Sequence, residues 1–218
     1  MFDRLFGKKT DPVAPSAALP SPLGLRLGGA VRLDPVLSRS LEDGRLLELP
    51  KPGTPLMIVA QGLVDLGEGV KLHRFYLDDD WWLQVKVTGG LSQDGEEGID
   101  EVELFGFGDV LSPSTQAEFD EIAKNIGRPE YRYADTDFKR LWGTGNGQVA
   151  TSDYRESVHT KGGESYQTRH QDMLHAREIP NASRGELLLI SVETDAEDSV
   201  SVVHSVGMLL HRSDLEIT

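Results

Sequence analysis

Residues 71–87 read KLHRFYL, DDD, WWLQVKV. Two runs rich in aromatic and β-branched side chains flank three aspartates. The pattern predicts strands over 71–77 and 81–87, joined by a turn at Asp78, Asp79 and Asp80. In the second strand Trp81, Leu83, Val85 and Val87 fall on one face. Trp82, Gln84 and Lys86 fall on the other. Trp82 is the unusual member, because alternation separates it from the apolar set.

The same alternation recurs on both sides of this hairpin. Residues 56–60 (LMIVA) form a buried strand bounded by Pro55 and Gly62. Val102 and Leu104 alternate with Glu101 and Glu103. Residues 131–133, 156–159, 164–177, 186–193 and 199–211 are extended, and the last carries Val200, Val202, His204, Val206, Met208 and Leu210 on one face. One helix is well specified near 114–126. Thr115 and Glu118 make a capping box, and Phe119, Ile122, Ala123 and Ile126 follow at helical spacing. Gly127 and Pro129 close it. Asp34 and Pro35 open a shorter helix with Val36, Leu37 and Leu41 on its apolar side, ending by Gly44. The expected fold is α+β, predominantly antiparallel β, as a barrel or a sandwich.

Composition bounds the chemistry. The 218 residues hold 22 basic and 36 acidic side chains, net −14, and no cysteine. Disulfides, thiolate zinc sites and cysteine nucleophiles are therefore excluded. The charge argues against a nucleic-acid partner, which needs a basic face. It is also unevenly spread. Residues 1–50 carry seven basic and six acidic groups, net +1, and residues 51–218 carry fifteen and thirty, net −15.

The organisation follows from that split. Residues 1–9 carry Arg4, Lys8 and Lys9 against Asp3. Phe2, Leu5 and Phe6 stand at i, i+3, i+4, sharing a face if helical. Such a tip, with Phe2, Leu5, Phe6, Lys8 and Lys9 as contacts, is a candidate for an anionic membrane surface; a frayed terminus is the plainer reading. Pro12, Pro15, Pro20 and Pro22 mark residues 10–22 as a linker. Residues 1–23 are thus tip and linker, and residues 24–218 one β-rich domain. Within it, residues 69–74 (GVKLHR) and 207–212 (GMLLHR) match at four of six positions, a weak sign of internal duplication. No apolar run reaches the roughly 20 residues of a spanning helix, and the expected location is cytoplasmic, with peripheral contact at the inner membrane.

Candidate chemistry is sparse. Asp78, Asp79 and Asp80, with Arg74 and Trp82 beside them, form the best ligand-binding candidate. Carboxylates and an indole face suit a polycation or polyamine, although a solvated acidic turn is the ordinary reading. Neither a metal site nor a cofactor follows, since the EF-hand spacing is absent. A second acidic cluster, Asp94, Glu96, Glu97, Asp100 and Glu101, reads as a hairpin connection. His170 and His175 are five apart, on opposite faces of a strand, and His204 reads as a buried structural histidine. Gly143, Gly145 and Gly147 lie in a tight loop with no following helix, so they make neither a P-loop nor a dinucleotide fingerprint. There is no G-x-S-x-G elbow. No catalytic residue is nominated.

Residues 24–34 (GLRLGGAVRLD), 72–83 (LHRFYLDDDWWL) and 205–208 (SVGM) resemble the bacterial YjfK family. So do 5–8 (LFGK), 140–143 (RLWG) and 173–177 (MLHAR). The resemblance spans nearly the whole chain, and the family is one of unknown function. It implies genes nearby for a membrane-remodelling protein similar to phage-shock protein A, for small membrane proteins and for a ligase similar to glutathionylspermidine synthase. The expectation is therefore a non-enzymatic accessory of an envelope-stress module that binds a protein partner, with the phage-shock-protein-A-like protein as candidate. The alternatives are a β domain binding a polycation or polyamine, and an enzyme acting on a polyamine- or peptide-like conjugate.

Overall fold

The computed structural model describes residues 21–218 apart from 41–43, 93, 94 and 96. The tip residues Phe2, Leu5, Phe6, Lys8 and Lys9 lie outside the described residues, as do Asp94 and Glu96. The order is β1 (Ala30–Leu33), α1 (Pro35–Ser40), β2 (Leu56–Gly67), β3 (Val70–Leu77), β4 (Trp81–Thr88), β5 (Ile99–Leu111) and α2 (Gln116–Ala123). Then follow β6 (Glu130–Tyr133), β7 (Thr136–Arg140), β8 (Ser152–Thr160), β9 (Ser165–Arg177), β10 (Glu186–Thr194), β11 (Val200–Leu209) and β12 (Leu215–Ile217).

Eight of these strands close a ring in the order β2-β3-β4-β5-β11-β10-β9-β8 and back to β2. Every pairing in it is antiparallel. The fold is therefore a closed barrel, which leaves the ring without an open sheet edge. The closing seam joins β2 to β8, with Gly62 opposite Val158 and Val64 opposite Glu156.

Closure explains why alternation alone misassigns some residues. The outer face of β3, β4, β5, β9, β10 and β11 is apolar and carries Phe75, Leu83, Leu104, Met173, Ile190 and Met208. It is covered by residues 23–33, Leu37, Leu47, Ile126 and Phe138. The opposite face, which reads as solvated in an open sheet, is the lumen. Trp82 and Glu103 on that face are only 3% and 6% exposed. Likewise Gly62 does not end a strand, because β2 continues to Gly67.

The short elements cap as their residues dictate. Asp34 accepts the Val36 N–H at 2.6 Å in front of Pro35. Thr115 Oγ1 accepts the Glu118 N–H at 3.2 Å. The Glu118 carboxylate reaches back to the Ser114 N–H at 2.7 Å, one residue earlier than the capping box predicts. The two copies of the G-x-x-L-H-R segment occupy different places. Gly69 sits in the turn that opens β3, whereas Gly207 lies inside β11 and residues 210–212 have left the strand.

Gly207 has a packing role. It faces Phe105 across the β5–β11 pair. A Cβ there would lie 2.3 Å from the Phe105 ring and 2.6 Å from the Leu104 carbonyl oxygen. The space lets Phe105 stack on Trp82, with centroids 4.5 Å apart and planes 15° from parallel. Gly207→Ala is expected to cost about 1–3 kcal/mol by overpacking, measured as a lower urea midpoint. An unchanged midpoint would show slack in the barrel wall.

Candidate functional site

The lumen holds a buried charge network built from five strands. Arg74 on β3 is 3% exposed and is its centre. Its Nη1 donates to Glu156 Oε2 on β8 at 3.0 Å, and its Nη2 lies 3.2 Å from Asp172 Oδ2 on β9. Nη2 also donates to the Tyr154 hydroxyl at 2.6 Å, and Nε to Gln84 Oε1 on β4 at 2.9 Å. Tyr154 donates in turn to Asp172. The Gln84 amide nitrogen donates to Glu103 Oε2 at 2.6 Å. Tyr76 donates to the Glu156 carboxylate at 2.9 Å. Contacts from β3 across to β8 and β9 establish that this side of the ring faces inward.

The guanidinium is also sandwiched by rings. Its Cζ lies 5.0 Å from the Trp82 centroid and 5.5 Å from that of Tyr154, which adds cation–π attraction to the ion pairs. Glu156 is placed by an absence: it lies over Gly62, where a Cβ would come within 1.6 Å of Oε1. His170 on β9 completes the set. Its Nδ1 contacts Ser191 Oγ at 3.0 Å. Its Nε2 sits 2.9 Å from Glu156 Oε2, a charge contact without hydrogen-bond alignment. Glu193 lies 3.7 Å from Nδ1.

Burial and pairing set the protonation states. Burial pushes the Glu156 carboxyl up, but Arg74, His170 and Tyr76 outweigh it and hold it at about 2. Burial alone lowers His170, and the neighbouring Glu156 and Glu193 carboxylates reverse this and raise it. Glu193 is raised by burial, to which Asp172 and Glu156 add. Glu103 is lifted to about 7 by burial, against the Gln84 hydrogen bond that pulls it down. Outside the lumen, burial with nearby Lys71 lowers His73 to about 4, and burial also lowers His175 and His204.

Little free space remains. The cavity bordered by Trp82, Phe107, Tyr166, His170 and Glu193 is about 40 Å³, room for roughly two or three water molecules. The arrangement pins carboxylates and cross-links the barrel wall. Arg74 and Glu156 also line this cavity, so the space beside the ionised groups is water-sized.

The predicted ligand-binding residues divide between two places. Arg74 and Trp82 come together inside the lumen. Asp78, Asp79 and Asp80 form the β3–β4 turn: Asp78 accepts the Met57 N–H at 2.9 Å, Asp79 accepts the Asp80 N–H at 3.0 Å, and the Asp80 carbonyl accepts the Phe107 N–H at 2.9 Å. Among the described residues, no group of three His, Asp or Glu side chains is placed to hold a metal, and no helix is long and apolar enough to cross a membrane. His170 and His175 do face opposite ways. His175 contacts the Arg128 carbonyl on the outer side at 3.2 Å. His204 there meets the Tyr131 hydroxyl at 2.8 Å. Sequence reasoning missed Glu156, His170 and Asp172 as one cluster. The available signal was their parity, since Glu156 shares a face with Tyr154 and Val158, and His170 and Asp172 share one with Leu174.

A second feature is an open groove of about 830 Å³ at one end of the barrel. Leu187, Leu209 and Ala176 line it from the inward side of the wall, and Leu141 from beside β7. Leu141 and Leu209 are 53% and 49% exposed. Paired charges frame it. Arg177 joins Glu186, whose Oε1 also accepts the Leu46 and Leu47 N–H groups at 2.8 and 2.7 Å. Arg184 joins Asp214 at 2.6 Å.

Fold and site together define a small closed β-barrel whose interior is a buried ionic network and whose open end is an apolar groove. The chain belongs to the family described as "Protein of unknown function (DUF2491)", whose model matches residues 1–216. It is similar to the uncharacterized protein YjfK of Escherichia coli (strain K12), with 29% identity over 88% of this chain and 85% of the relative. No solved structure matches it significantly.

Proposed function

We propose that the chain is a non-enzymatic, protein-binding accessory that engages its partner through the groove at the barrel end. The observation that carries this reading is the contrast between the two spaces. The lumen is filled and charge-paired, with about 40 Å³ free, whereas the groove presents Leu141 and Leu209 to solvent. Exposed apolar groups rimmed by polar ones mark interaction sites. The family resemblance supports the finer assignment to a bacterial envelope-stress module at the cytoplasmic side of the inner membrane. Its candidate partner there is a membrane-remodelling protein similar to phage-shock protein A.

The test is affinity capture of that protein from the same bacterium by the full chain and by Leu141→Glu and Leu209→Glu variants. A charge placed in a desolvated contact costs about 2 kcal/mol or more, so at least a tenfold loss of affinity is expected. Equal binding by both variants would overturn the groove as the interface.

A further inference from the structure

We propose that the groove has a resident occupant in the isolated chain: its own N-terminal tip, with Phe2, Leu5 and Phe6 as the inserted side chains. The inference deepens the groove-binding reading and rests on it, because a tip seated there competes with the partner for Leu187 and Leu209.

Three observations carry it. The first is where the described chain begins. Ser21 lies against Gly95, where a Cβ would come within 2.6 Å of the Ser21 carbonyl oxygen, and Leu23 donates to the Gly95 carbonyl at 3.0 Å. Gly95 belongs to the connection that leads into β5 at Ile99. Glu103, four residues further along, pairs with Leu209 of the groove. Chain entry and groove therefore share one end of the barrel; the stretch of β5 from Ile99 to Glu103 accounts for about 14 Å.

The second is reach. The twelve residues 10–21 span roughly 20 Å as a coil and about 37 Å if extended as a proline-rich segment. Tethering over such a distance sets an effective concentration near the millimolar range, so that even a weak contact is populated.

The third is chemistry. Phe2, Leu5 and Phe6 present one apolar face if helical, matching a groove lined by Leu141, Leu187 and Leu209. Arg4, Lys8 and Lys9 flank that face, and at the rim of the groove the exposed Glu178 offers a carboxylate, while Asp137 is ion-paired with Arg132 at 3.0 Å and the exposed Lys139 stands beside it. The family model also includes the tip, since its match begins at residue 1.

The chain contains no cysteine, so a single nitroxide can be placed by Lys8→Cys on the full protein. Methyl NMR should show selective loss of intensity at Leu141, Leu187 and Leu209. Leu56, on the covered outer face, should keep its signal. Phe2→Ser, Leu5→Ser and Phe6→Ser in combination should restore the groove signals. Unaffected groove methyls would overturn the proposal, and so would broadening that survives the triple substitution. Broadening of an isotope-labelled, nitroxide-free chain mixed with an unlabelled nitroxide-bearing one would assign the groove to a second copy, and would also overturn it. Partner capture lost in Leu209→Glu without methyl broadening would leave the protein-binding reading standing and remove only this one. Broadening with partner capture unchanged would do the reverse.

Discussion

Arg74→Met should destabilise the protein by about 3–5 kcal/mol near neutral pH. The reason is less the lost attraction than what remains. Glu156 and Asp172 are both fully buried, and each loses its guanidinium contact. The few waters that the roughly 40 Å³ cavity can hold only partly replace that partner. The pH dependence separates this cause from loss of packing. In the wild type Glu156 is held at about 2, below its ordinary value of 4.5. A depressed carboxyl contributes stability that is present above the ordinary value and is lost as pH falls toward the folded one. In Arg74→Met the largest part of that contribution is lost, although His170 and Tyr76 remain beside Glu156, so the gap between the two proteins should narrow from about pH 4.5 downward. Adding Glu156→Gln to Arg74→Met should recover part of the loss, because it removes one uncompensated charge. Urea denaturation followed by circular dichroism reads all three. A variant within about 1 kcal/mol of wild type would mean that the lumen is wet enough to solvate carboxylates.

The strands were legible because their signals are local. Alternation in 81–87 and the aspartates of the preceding turn lie within a few residues of one another. The helix was legible for the same reason, through Thr115 and Glu118. Ring closure was not. It depends on residues 60–64 pairing with 156–160, and nothing near either segment names the other. The site inherits that difficulty. Adjacency groups Arg74 with Asp78, Asp79 and Asp80, but its carboxylates arrive from 82 and 98 residues away. Alternation placed Gln84 opposite the apolar set correctly. It could not tell a solvated face from the inside of a barrel, because both are polar and alternate with a period of two. Trp82 was the residue that broke the pattern, and it does so because that face is the lumen.

Glu103→Gln should do the opposite of Arg74→Met and stabilise the protein, but only at higher pH. Glu103 is 6% exposed, and burial lifts it from an ordinary 4.5 to about 7. Between those values the folded chain holds more protons than the unfolded one, so stability falls as pH rises and the cost is complete above the folded value. A shift of that size corresponds to about 3 kcal/mol. Glutamine keeps an oxygen to accept the Gln84 amide that Glu103 Oε2 accepts at 2.6 Å, and it carries no charge to desolvate. The variant should therefore match wild type near pH 5 and exceed it by up to about 3 kcal/mol near pH 8. Because Glu156 loses its contribution at the acid end and Glu103 imposes its cost at the neutral end, these two groups favour a stability maximum near pH 4.5–5 in the wild type. Glu103→Gln should extend that maximum into a plateau on the alkaline side. Parallel stability curves for the two proteins would show that Glu103 ionises freely in the folded barrel, and that the Gln84 end of the network is open to water.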